Sequence, residues 1–148
     1  MSQYLTFFLG DHELALPLLQ VRQIIEHVPP TFVPHMPDAI RGVINLRGAL
    51  VPVIDLASRF GLPSKEVTRT SCIVVVDAPV AGLLGLLADA VHDVAEIEPE
   101  AILPPPDFGA PVDKSDLVGV APIGDKLALV LDTTKVLSPE ELLRVAAA

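Results

Sequence analysis

A chain of 148 residues that is 51% hydrophobic can bury a core of its own, which excludes a disordered tail. A net charge of −9, with 4% aromatic residues and no tryptophan, opposes both phosphate-backbone binding and base stacking, so no nucleic acid partner is expected. The apolar run 78–88 is too short to span a bilayer and is interrupted by Pro79, Gly82 and Gly85. A single cysteine and a start without a basic, apolar leader fit a cytoplasmic protein with no direct membrane insertion.

Fifteen prolines and nine glycines scattered through the chain leave little room for long helices, so the Val, Leu and Ile belong mainly in short strands. Gln3–Gly10 and Glu13–Leu16 flank Gly10-Asp11 and predict a hairpin. From Pro17 the period changes. Leu18, Val21, Ile24, Ile25 and Val28, three and four apart, predict one or two helical turns that end at Pro29-Pro30. Residues 31–38 read as a loop or extended edge, and Ala39–Asn45 as a short helical approach.

Next comes GVINLRGALVPVIDL, Gly42 to Leu56: a polar break at Asn45–Gly48, then a strand over Ala49–Asp55. Gly48 permits a tight turn, and Pro52 places the strand at an edge or beside a bulge. Leu56–Leu62 predicts a helical turn closed by Gly61 and Pro63, and the polar stretch 64–71 a mid-chain boundary. Cys72–Val76 and Val80–Leu87 read as strands. Ala88–Val94 matches Leu18–Ile24 in placement, and 99–111 is a proline-rich loop. Leu117–Val120 and Leu127–Leu131 are the last strands, around a turn at 123–126. Ser138-Pro139-Glu140-Glu141 opens a capped C-terminal helix.

The halves repeat. Gly42-Val43, a turn and a strand ending at Asp55 match Gly119-Val120, a turn and a strand ending at Asp132, with equal glycine-to-aspartate spacing. Upstream, Val21 and Ile24 match Val91 and Val94. Two similar β units that bury little alone are expected to share an interface.

Chemistry is sparse. None of the four histidines forms a metal-ligand pattern, and no phosphate loop or GxSxG is present, so no cofactor, metal or catalytic residue is predicted. Cys72 opens an apolar strand as a small hydrophobe, and Asp55, Asp77, Asp89 and Asp132 take turn and capping roles. An enzymatic or small-ligand β-barrel would need a deep pocket with converging polar groups. Val21, Ile24 and Ile25 suit a groove for an amphipathic helix, with Arg47 at its rim to engage a carboxylate or carbonyls.

GVINLRGALVPVIDL resembles the signature of the CheW family, the coupling proteins of bacterial chemotaxis and related sensory arrays. YLTFFLGDHELALPLLQVRQI resembles that family's opening hairpin and next segment. LLGLLADAVHDV and LVGVAPIGDKLALVLDTTKVL then follow in the family's order, so the likeness runs from Gln3 to about Leu143. The resemblance implies a mainly β fold: two five-stranded SH3-like or OB-like barrels related by duplication and partly interleaved, with short helices, in a single domain. It implies a stand-alone adaptor without cofactor, partnered by the regulatory domain of the histidine kinase CheA and the cytoplasmic tip of methyl-accepting chemoreceptors. Val21, Ile24 and Arg47 fall on its partner-facing positions, and Cys72 and Val94 near others. Gln23 stands where many relatives have glutamate, which would reduce an ion pair with Arg47 to a neutral hydrogen bond and bear on partner choice. A scaffold serving pili, gliding or second-messenger control is the alternative within the family.

Overall fold

A computed structural model describes residues 2–60, 66–78, 82–104, 117–131 and 133. The strands are β1 (Ser2–Leu9), β2 (His12–Pro17), β3 (Val21–Glu26), β4 (Ile40–Leu46), β5 (Ala49–Ile54), β6 (Cys72–Ala78), β7 (Gly82–Ala88), β8 (Ala90–Ile97), β9 (Leu117–Ile123) and β10 (Lys126–Leu131). A helical turn, α1 (Leu56–Arg59), follows β5. The strands form two five-stranded sheets, ordered β8-β1-β2-β10-β9 and β3-β6-β7-β5-β4. The mainly β expectation is borne out, as are the β1–β2 hairpin and the turn between β9 and β10. The C-terminal helix expected from Ser138 lies outside the described residues.

The two sheet orders correspond strand for strand, and each sheet contains one parallel pairing, β10 with β2 and β5 with β7. The repeated glycines show why the pattern recurs. The backbone after each edge strand crosses back over the hairpin, pairing Thr31 with Val43 in one sheet and Leu103 with Val120 in the other. A Cβ on Gly42 would run into the Thr31 carbonyl, and one on Gly119 into the Leu103 carbonyl. Close backbone approach, not a turn, demands these two glycines.

Two helical expectations are corrected, and with them the reading of the segment matched to the first. After a 3-10 turn at Leu18–Gln20, residues 21–26 form strand β3; 40–46 form β4 and 90–97 form β8. Exposure along β3 alternates residue by residue, the period of a strand. A helix of one or two turns is marginal by itself, whereas β3 gains a full antiparallel ladder with β6. Pairing with a distant strand outweighs local spacing.

The segment 64–71 does not divide the two sheets, because β5 before it and β6 after it belong to the same one. The chain changes sheet between β2 and β3 and again between β7 and β8, so β3–β7 are nested inside the first unit. Pro52 is not on an edge strand either, since β5 lies between β7 and β4. Opposite it, Val43 gives both backbone groups to Thr31, at 2.8 and 2.9 Å, so the ladder asks no N–H of Pro52. The β4–β5 register does shift nearby, between Ile40 and Gly42.

One core joins both sheets, built from Leu5, Phe7, Leu14 and Leu16 on one side and Ile54, Val74, Val76 and Leu86 on the other. The alternate residues pack within each sheet's own interior: Ala15 and Val130 in one, Ile73 and Val75 in the other. A strand buried on both faces reads as an unbroken apolar run, which is why Ile73–Val76 carries no polar residue.

Candidate functional site

The expected partner-binding residues fall on separate elements. β3 is an edge strand, and its register slips by one residue between Val21 and Gln23, leaving Arg22 as the bulge. Arg22 reaches Asp77 (Nε to Oδ1, 3.1 Å), an exposed pair worth about 0–1 kcal/mol. Val21 packs against the shared core, Gln23 is half-buried, and Ile24 points outward with 43% of its surface exposed.

The other sheet repeats the arrangement. β8 is its edge strand, with the corresponding slip at His92, and Val94 is also 43% exposed. Each unit thus presents one β-branched residue from a bulged edge. Val91, the counterpart of Val21, packs on the same core.

Cys72 lies beside this surface without joining it. It pairs in register with Glu26 and Ala88, and its side chain is buried in the shared core. Burial raises the thiol pKa above its ordinary value, and the negative charge of Asp89 raises it further. The folded chain therefore keeps this proton at a pH where the unfolded chain has lost it. The associated stability is complete below the ordinary thiol range and falls as pH rises through and beyond it. Iodoacetamide at pH 8 is expected to label native Cys72 at least about tenfold more slowly than the urea-unfolded chain. Equal rates by mass spectrometry would mean that the thiol is accessible.

Arg47 occupies the two-residue turn between β4 and β5, which the Leu46–Ala49 pair closes. Arg47 and Gly48 have φ of 53° and 88°, the pattern of a type I′ turn, and Asn45 Oδ1 accepts the Gly48 N–H at 2.8 Å. For an arginine this backbone costs about 1–2 kcal/mol. The neutral hydrogen bond expected from Gln23 is not formed: among the described residues, Arg47 has no ion pair and no hydrogen bond. Gln23 is on the edge strand at the other end of the strand order, and Arg47 is left as an exposed cation.

Several features escaped the sequence. Asp55 caps α1 as expected, Oδ1 accepting the Ser58 N–H at 3.2 Å, but its burial was not foreseen, nor that its Oδ2 accepts Arg41 Nε at 2.9 Å and Nη2 at 2.5 Å. Buried Glu13 meets His92 Nδ1 at 2.7 Å, with Phe8 against the imidazole ring. Phe32 and Leu50 are 75% and 71% exposed. The prolines around Phe32 were a usable signal of an exposed loop, but nothing in sequence links Glu13 to His92.

A cleft of about 400 Å³ is lined by Arg41, Asp55, His27, Asp89, Leu9 and Leu87 among others. Two of its carboxylates hold the chain together: Asp55 as above, and Asp89 by accepting the Gly10 N–H at 2.6 Å. Among the described residues no three or more His, Cys, Asp or Glu side chains are grouped to hold a metal.

Carboxylates committed to backbone and arginine, together with edge strands that turn aliphatic residues outward, define a protein-binding scaffold. Comparison with known proteins makes that class specific. The CheW-like domain family matches residues 3–141. The chain is 32% identical to the chemotaxis protein CheW of Klebsiella aerogenes, over 95% of this chain and 84% of that one. It is 33% identical to CheW of Rhizobium meliloti, over 94% and 89%. The fold matches the scaffolding protein TtCheW of Thermoanaerobacter tengcongensis with a TM-score of 0.86 and 31% identity, covering 95% of this chain and 90% of that one. The chain belongs to the CheW-like family, and its function is that of a chemotaxis coupling adaptor.

Proposed function

We propose that the chain links chemoreceptors to the histidine kinase CheA, binding the kinase's regulatory domain and the cytoplasmic tip of methyl-accepting receptors. It acts by contact and catalyses nothing. It works in the cytoplasm and joins membrane-associated arrays through its partners; among the described residues no helix is long and apolar enough to cross a membrane. The observation that carries the reading is the matched pair of edge strands, each with an exposed aliphatic residue, together with an exposed arginine that has no internal partner among the described residues. Ile24 and Val94 are the apolar contacts and Arg47 the polar one. Val21 and Gln23 support the β3 edge from below, and Cys72 contributes through packing.

Arg47→Glu and Ile24→Asp are each expected to weaken partner binding about tenfold or more while leaving thermal stability nearly unchanged, since both side chains are exposed. Val21→Asp is a poorer probe, because Val21 packs on the core and its loss also destabilises. Co-sedimentation with receptor-containing membranes, with and without CheA and with phosphotransfer followed, tests the reading. Wild-type protein should bring kinase into the pellet and change its activity, and the two variants should fail to. A folded wild-type protein that binds neither partner would overturn it.

A further inference from the structure

We infer that Asn45 is a positioning residue, whose side-chain oxygen holds the β4–β5 turn in the shape that aims Arg47 at the partner. This rests on the reading of Arg47 as a partner contact. Among the described residues the Arg47 side chain has no hydrogen bond and no ion pair, so the backbone is what sets the direction in which it leaves the turn. That backbone has φ of 53°, a conformation an arginine does not favour. A change to negative φ would swing the whole side chain, because the Cα–Cβ bond turns with the peptide plane.

Two contacts oppose that change. The Leu46–Ala49 pair closes the hairpin, and Asn45 Oδ1 accepts the Gly48 N–H at 2.8 Å. A two-residue connection between twisted strands is easiest with positive φ at both residues, and the asparagine bond fastens the second of them. Asn45 is exposed, and its cross-strand neighbour Leu50 is 71% exposed, so removing the side chain disturbs no packed core. The bond therefore bears on the presentation of Arg47 more than on folding.

The test is a double-mutant cycle. Affinities of Asn45→Ala, Asn45→Asp, Arg47→Ala and the Asn45→Ala/Arg47→Ala double variant are measured by titration calorimetry. The titrants are the kinase regulatory domain and a receptor-tip fragment, with Gly48 amide exchange followed by NMR. Asn45→Ala should weaken binding about 3–10-fold and speed Gly48 exchange, while Asn45→Asp, which keeps the acceptor, should stay within about twofold. In the Arg47→Ala background Asn45→Ala should have no further effect. A loss that persists there would show that Asn45 acts without Arg47, and the inference falls. It falls equally if Arg47→Ala weakens binding and Asn45→Ala does not, which leaves the reading of Arg47 standing. If Arg47→Ala changes neither affinity, Arg47 is not a contact, and both ideas are overturned.

Discussion

Gly42→Ala is expected to cost about 3–5 kcal/mol, a large share of the total stability of a domain this size. Two penalties coincide there. The new Cβ would lie far inside van der Waals contact of the Thr31 carbonyl oxygen, and φ at Gly42 is 156°, which non-glycine residues rarely adopt. The obstacle is backbone, and that backbone is tied to Val43 by two hydrogen bonds, so it has little freedom to retreat. Gly119→Ala meets the same obstacle at the Leu103 carbonyl without a positive φ, and should cost about 2–4 kcal/mol. Gly48→Ala is the control: its φ is 88° but nothing lies within 4 Å of the added Cβ, so about 1–2 kcal/mol is expected. Urea unfolding followed by circular dichroism ranks the three. If Gly42→Ala is no worse than Gly48→Ala, the crossing segment yields, and the glycine is present only for its φ.

The second large effect is expected at Asp55. Asp55→Ala removes the cap of α1, worth about 1 kcal/mol, and a charge-assisted link to Arg41 worth about 1.5–3 kcal/mol. A total loss of about 3 kcal/mol follows. Arg41 is half exposed and can return to water, which keeps the loss below that of stranding a buried charge. Asp55→Asn retains an acceptor for the Ser58 N–H but not the charge, and should lose roughly half as much. The same unfolding measurement separates the contributions. Equal losses in the two variants would assign everything to the ion pair, and a loss only in Asp55→Ala would assign it to the cap.

These two positions also mark how far the amino-acid sequence could be read. Gly42 and Asp55 were visible as the ends of a repeated pattern, because a duplicated unit places the same residue types at the same spacing. What Gly42 avoids was not visible, since Thr31 arrives from another part of the chain and reads only as a loop. Asp55 was legible as a cap because its capping partner Ser58 is three residues away. Its pairing with Arg41 was missed, as was that of Glu13 with His92, because each depends on strands that are brought together only by the sheet.

The candidate site divides in the same way. Ile24 and Val94 were matched through the repeat, and Arg47 through its place in a conspicuous polar break. Sequence alone did not distinguish Ile24, turned outward, from Val21, three residues earlier and packed inward, because spacings of three and four fit a helix face as well. Only the β3–β6 register, with its bulge at Arg22, decides which residue faces solvent. Local chemistry therefore determined the strand-rich composition, the hairpins, the cap and the family-defining motif: glycine, proline and β-branched side chains act on their own backbone. The nesting of one sheet within the other, the burial of Cys72 and the freedom of Arg47 were decided by the tertiary structure. Each follows from hydrogen bonds and packing between segments far apart in the chain, for which no local preference exists.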